Sequence, residues 1–204
     1  MTLALLLVAS YLIGSIPMGY MLAKRVRGID LRTVGSGNIG ATNALRAAGP
    51  ALGATVLLLD LLKGVVPTLL PRWIAHDPTV TAALAVGLAA VIGHTFPCFL
   101  GFKGGKGVAT TLGALLGSMP AVCGIVVGIW LVAFLLSRYV SVGSLASALA
   151  IPIAQWAMRQ PPSAIGLGIA FAALIMLRHR PNIERLLRGE EHRAWSPKFS
   201  TKSR

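Results

Sequence analysis

Seven apolar runs, each bounded by charge, proline or glycine, leave this chain little to fold into except a helical bundle in a bilayer. They cover residues 3–23, 50–71, 79–97, 108–118, 120–137, 142–158 and 163–177. A straight span needs about 20 apolar residues, so several of these helices are expected to be short, shared or re-entrant, and merging neighbours gives a five-span alternative. Composition agrees: 55% of the 204 residues are hydrophobic, 12% are charged, and the mean hydropathy is +0.74. Such a chain is not a soluble globule, and the two cysteines and aperiodic glycines exclude disulfide-rich and collagen-like classes. The expected fold is an all-α polytopic membrane protein of about seven helices.

The net charge of +13 is read by position. With alternating spans, residues 24–47, 98–107, Arg138 and the tail from 178 lie on one face and hold 16 of the 19 basic residues. The opposite connections carry only Arg72 and Arg159. This asymmetry predicts an outside N-terminus, cytoplasmic basic loops and a cytoplasmic C-terminus. The basic tail suits anionic lipid headgroups rather than nucleic acid. Residues 1–177 form the expected membrane domain, with motif loops at 24–47, 94–107 and 138–144. Residues 178–204 form a basic tail whose start, 179–191, completes the site.

The first loop reads Gly35-Ser36-Gly37-Asn38-Ile39-Gly40-Ala41-Thr42-Asn43, then Arg46. It matches GxGxxG formally, and Asp60 falls twenty residues after Gly40, but a dinucleotide fold has no room between two spans. What remains is an anion-binding turn: Gly37, Asn38 and Gly40 turn backbone amides inward, Ser36, Thr42 and Asn43 add neutral donors, and Arg46 offers a planar fork. The second loop, from His94 through Lys103-Gly104-Gly105-Lys106-Gly107, lacks Walker A spacing. It instead sets lysines among glycines before an apolar helix, the parts of a second anion cradle. Two such sites on one face suggest two anionic ligands, or one with two phosphates.

Ser141, Ser144, His179, Asn182, Glu184, Glu190 and Glu191 surround these loops, with no evident Ser-His-Asp or Cys-His pair. If the chemistry is acyl transfer, the acyl donor would therefore arrive already activated, and the enzyme would position two substrates and hold charge. Cys98 and Cys123 lack CxxC spacing and read as packing residues; neither a metal nor a cofactor is expected. Asp60 and Lys63, one turn apart inside an apolar run, are either functional or a self-satisfying structural pair. His94 is placed to orient the second loop.

The loop from Gly35 to Arg46, the stretch from Gly93-His94 to Thr110, and His179-Arg180-Pro181-Asn182-Ile183-Glu184-Arg185-Leu186-Leu187 with Gly189 and Glu191 resemble the bacterial acyl-phosphate:glycerol-3-phosphate acyltransferase family (PlsY). The resemblance covers essentially the whole chain. It implies a multi-pass enzyme of the bacterial cytoplasmic membrane that moves a fatty acyl group from acyl phosphate to the 1-hydroxyl of sn-glycerol 3-phosphate, releasing lysophosphatidic acid and phosphate. By resemblance, Ser36, Arg46, His179 and Asn182 are active-site residues, and Lys103, Gly104, Gly105, Lys106 and Gly107 form the glycerol-phosphate loop. Glu191, rather than Glu190, supports the site, and Ser141, rather than Ser144, is its serine. The partners implied are the two substrates and membrane lipids, and a monomer is expected. A rival reading, a small transporter of a phosphorylated anion, needs inverted repeats that 204 residues hardly accommodate.

Overall fold

A computed structural model describes residues 2–194; residues 195–204 of the expected basic tail lie outside the described residues. Among the described residues there is no strand, only ten α-helices and one 3-10 turn. All seven apolar runs are helical.

The first run breaks where Pro17 removes a backbone donor, giving α1 (Thr2–Ser15) and α2 (Met18–Arg27). Lys24, Arg25 and Arg27 fill the last turn of α2, where they complement the helix dipole, and Gly28 ends it at φ 68°. The first motif loop leads into α3 (Ala41–Ala48). Then α4 (Pro50–Ile74) opens on a proline suited to a first helical turn. Thr79 caps α5 (Val80–Thr95) by accepting from the Ala82 amide at 3.3 Å. A 3-10 turn (Cys98–Leu100) and the second motif loop follow, then α6 (Val108–Ser118) and α7 (Pro120–Ser137). Arg138, at φ 63°, makes the corner into α8 (Val140–Ala157). Finally α9 (Pro162–Arg178) bends by 58° at His179 into the amphipathic α10 (Arg180–Leu187).

Length and composition allow five membrane crossings, or six if α9 and α10 count as one bent span. This is fewer than the seven runs suggested, chiefly because α6 has 11 residues and reaches only about 16 Å of a roughly 30 Å hydrocarbon core. It need not match the bilayer, because Thr110, Thr111, Gly113, Ala114 and Leu115 are buried against protein.

Glycines let the inner helices touch backbone to backbone. A β-carbon on Gly64 of α4 would collide with the Thr110 carbonyl of α6, and one on Gly113 of α6 with the Leu61 carbonyl of α4. Gly14 and Gly93 do the same between α1 and α5, facing the Ala90 and Tyr11 carbonyls. Lipid tails give no hydrophobic reason for helices to associate, so close approach through small residues is how such bundles gain packing. Leu84, Leu115, Val122, Ile151 and Phe171 fill the core, whereas Leu58, Val132, Leu135, Leu136 and Ile153 point outward as a lipid-facing surface would.

Candidate active site

The two motif loops, the start of α8 and the α9–α10 bend converge on one cavity of about 530 Å³. Residues more than 140 positions apart thus share one space, and each wall is built by local rules.

The first loop is shaped by one side chain. Asn43, at the start of α3, is buried and donates from Nδ2 to the carbonyls of Leu31, Val34 and Asn38 at 3.0, 3.0 and 2.8 Å. Its Oδ1 accepts from the Ser36 amide at 3.0 Å, and Asn38 Oδ1 accepts from the Gly40 amide at 2.8 Å. Asn43 is therefore the loop's keystone, with its hydrogen-bonding capacity spent within the loop, and so is not a free donor to a ligand. Gly35 and Gly37 adopt φ 58° and 68°, the left-handed region that favours glycine. Ser36, Asn38, Gly40, Thr42 and Arg46 line the cavity, while Gly37 lies outside its wall. Burial holds the Arg46 guanidinium below its usual range, although the Glu191 carboxylate opposes this.

The second loop divides into two parts. Lys106 and Gly107 line the cavity, and Gly107, at φ 83°, starts α6 so that the amides of residues 108–110 precede its first helical hydrogen bond, from Thr111 to Gly107. Cation and helix N-terminus thus meet at one wall, as an anion requires. Lys103, Gly104 and Gly105 lie outside that wall. The Gly104 and Gly105 amides do not form the expected cradle: they donate to the carbonyls of Thr95 and His94, at 3.1 and 3.0 Å, at the end of α5. A β-carbon on Gly105 would overlap the His94 ring. These glycines are needed for close packing of loop on helix, not for open amides.

The tail supplies a polar chain. Lys106 Nζ donates to Asn182 Oδ1 at 2.7 Å, Asn182 Nδ2 donates to Glu191 Oε1 at 2.7 Å, and Arg185 Nε donates to Glu191 Oε2 at 2.7 Å. Burial brings the Lys106 ammonium down to about 8; Glu191 opposes the shift, and the cations Arg185, Arg46 and Arg178 reinforce it. Burial would raise Glu191, but the hydrogen bonds from Asn182 and Arg185 hold it below the ordinary carboxylate value. Glu190 is exposed and takes no part in this chain.

His179, one residue past α9, is 2% exposed and lines the cavity. Its Nδ1 lies 2.8 Å from the Ile175 carbonyl. A carbonyl can only accept, so Nδ1 carries the proton and Nε2 keeps the lone pair. Burial, with the Lys106 cation adding to it, lowers this imidazole to about 4, so it is neutral at physiological pH. Ser141 also lines the cavity, its buried hydroxyl turned to the Glu191 carboxylate that it helps to keep charged, whereas Ser144 donates to the Val140 carbonyl at 2.9 Å. Ser144 is spent within its own helix, so Ser141 is the serine whose hydroxyl joins the polar chain of the site.

Two cations that shape the site escaped sequence reasoning. Arg185 follows Asn182 by three positions, on the same face of α10, a spacing that could have revealed it. Arg178 holds the second loop from outside the cavity, donating to the Gly105 and Gly104 carbonyls at 3.3 and 3.2 Å. The apolar part of the wall comes from Leu57, Val108, Leu112, Trp130 and Val140. One cavity therefore combines several cations, a neutral imidazole with a free lone pair, a buried hydroxyl and an apolar side.

The profile of the family described as Glycerol-3-phosphate acyltransferase matches residues 4–189. The chain is 52% identical over 195 residues to the glycerol-3-phosphate acyltransferase of Anaeromyxobacter dehalogenans (strain 2CP-C), covering 92% of this chain and 95% of that protein. It is 44% identical over 189 residues to that of Aquifex aeolicus (strain VF5), covering 92% and 97%. The crystal structure of PlsY (YgiH), an integral membrane glycerol 3-phosphate acyltransferase, superposes in its glycerol 3-phosphate form with a TM-score of 0.91 at 41% identity, over 97% of this chain and 98% of that one. Its lysophosphatidic acid form gives 0.89 at 40% identity, over 98% of each. A bundle that is all-helical among the described residues, one cavity built from the motif segments, and likeness along nearly the whole length lead to one conclusion: this chain belongs to the glycerol-3-phosphate acyltransferase family of integral membrane proteins.

Proposed function

We propose that this chain transfers a fatty acyl group from acyl phosphate to the 1-hydroxyl of sn-glycerol 3-phosphate, the first acylation step of bacterial phospholipid synthesis, at the cytoplasmic face of the inner membrane. The observation that carries the reading is the joining of a phosphate-suited wall, formed by Lys106 and the start of α6, to a neutral imidazole and an apolar side in one cavity. The acceptor's phosphate belongs at Lys106 and the amides opening α6, held from the other side by Arg185. The donor's phosphate belongs at Ser36, Thr42 and Arg46, with its chain along Leu57, Leu112 and Trp130.

An acyl phosphate is a mixed anhydride, so its carbonyl needs no covalent activation. The glycerol O1 attacks the carbonyl carbon, the bond from that carbon to the bridging oxygen breaks, and phosphate departs with the electron pair. The hydroxyl proton first meets the lone pair on His179 Nε2. An imidazole brought to about 4 accepts a hydrogen bond at any physiological pH but is too weak a base to keep the proton, which ends on the departing phosphate. His179 thus aligns the nucleophile, Ser141 and Arg46 hold the developing charge, and no acyl-enzyme forms.

The deciding assay gives the purified enzyme acyl phosphate, acyl-CoA or acyl carrier protein as donor, with glycerol 3-phosphate. Lysophosphatidic acid and phosphate should appear together with acyl phosphate only. Transfer from acyl-CoA at comparable kcat/KM would overturn the donor assignment.

A further inference from the structure

Three ionisable side chains are buried behind the second loop, and the proposed chemistry uses none of them. Asp60 and Lys63 of α4 and His94 of α5 are 2, 4 and 5% exposed. Lys63 Nζ lies 3.0 Å from Asp60 Oδ1 and donates to the Ile16 carbonyl, at the break before Pro17, at 3.2 Å. That accounts for the lysine. It does not account for His94, whose Nδ1 stands 3.5 Å from the same carboxylate oxygen, nor for the position of Asp60 and His94 at the cavity wall. Charges within membrane-crossing helices are costly, and a pair that served packing alone could be replaced by apolar residues.

The contacts lead from Asp60 to Lys106. Asp60 faces one edge of the His94 imidazole. The other edge is pressed against Gly105, where a β-carbon would overlap Nε2. The His94 and Thr95 carbonyls take the Gly105 and Gly104 amides, and Arg178, stacked over Phe96 at 5.5 Å, grips the carbonyls of the same two glycines. The loop is clamped between an imidazole and a guanidinium, and the next residue is Lys106. A shift of the ring moves the lysine.

We propose that Asp60, neutralised by Lys63, is a positioning residue for the acceptor site: it fixes the His94 ring against Gly105 and thereby sets Lys106 for the phosphate of glycerol 3-phosphate. This inference rests on the reading of Lys106 as the acceptor-phosphate ligand. It makes Asp60 a determinant of acceptor affinity although it need not touch the substrate.

The test separates KM from kcat. Asp60→Asn/Lys63→Met keeps the buried charge at zero, and Asp60→Glu keeps the ion pair while displacing the carboxylate by one methylene; both are assayed as the full-length enzyme in detergent. Each should raise the KM for glycerol 3-phosphate about tenfold, with kcat and the KM for acyl phosphate changed less than about threefold. His94→Ala should do the same, His94→Asn should recover part of the loss because its amide reaches toward Asp60, and adding His94→Ala to Asp60→Glu should worsen nothing further. Folded variants that lose thermal stability but keep the wild-type KM for glycerol 3-phosphate would overturn the positioning role, as would effects of Asp60 and His94 that multiply. Lys106→Met is measured in parallel. A raised acceptor KM there beside an unchanged one in the Asp60 variants refutes the positioning role alone, whereas an unchanged acceptor KM in folded Lys106→Met refutes the reading of the loop on which it rests.

Discussion

Lys106 and His179 face the same cavity, and burial lowers both, with different consequences near neutral pH. The lysine, brought to about 8, is charged below that pH and loses its charge above it. If its ammonium binds the acceptor phosphate, the KM for glycerol 3-phosphate should climb as pH passes about 8, roughly tenfold per unit at the limit. Lys106→Arg should flatten that rise, because a guanidinium stays charged. The pH profile of KM in the two enzymes checks this, and parallel profiles would remove Lys106 from phosphate binding. The imidazole is neutral from about pH 5 upward, so kcat should show no limb near 6.5. In folded His179→Gln, kcat should drop by about 10²-fold without vanishing, since alignment is lost while the phosphate still takes the proton. Complete loss restored by added imidazole would make His179 the base. The chemical types at these positions were legible in the sequence, because donors, cations and glycines cluster at the motif spacings. What each atom touches was not: Asn43 turns inward to three carbonyls, and the Gly104 and Gly105 amides close onto α5, because such partners are fixed by the packed bundle and not by neighbours in sequence.

Among the elements, α6 shows how far an apolar run can be read. Its bounds, residues 108–118, follow directly from the flanking Gly107 and Pro120. Whether it crosses the bilayer does not, because its fit depends on α4 and α5 beside it. Likewise the first run looks continuous in hydropathy, and only Pro17 marks the break into α1 and α2. The α4–α6 contact makes a sharp prediction. Gly64→Leu or Gly113→Leu forces a side chain into the opposing backbone and should abolish folding or lower Tm by well over 10 °C, in keeping with overpacking costs of about 1–3 kcal/mol or more. Gly124→Ala and Gly128→Ala on α7 meet nothing within 4 Å and should be neutral or slightly stabilising. Thermal melts in detergent compare the four. Equal effects at all of them would mean that glycine serves helix flexibility here, not close approach.

At the scale of the whole molecule, the segment after α10 joins the most distant parts of the chain. Glu191 receives Asn182 and Arg185, the Ala194 amide donates to the Arg138 carbonyl at 3.0 Å, and Arg193 Nε donates to the Tyr139 hydroxyl at 3.1 Å. The last described residues are thereby fastened to the α7–α8 corner, beside Ser141. The first loop, the second loop, this corner and the tail share one cavity, so all four must lie on one side of the membrane. These are the segments that carry most of the basic residues, which by the positive-inside rule supports the proposed cytoplasmic side for them. In a variant with Cys98 and Cys123 replaced, single cysteines at the exposed positions Thr33, Lys103 and Glu190 should be shielded from an impermeant thiol reagent in intact cells and react once the cells are opened. A cysteine at Asp77, between α4 and α5, should react from outside. Gly105 is avoided because any side chain there strikes His94. Labelling of Lys103→Cys from outside would invert the whole topology at once, since the cavity does not allow one motif loop to change sides without the others. Labelling of Asp77→Cys only after opening would show instead that the α4–α5 connection does not reach the far surface, and that the chain crosses fewer times than its apolar runs allow.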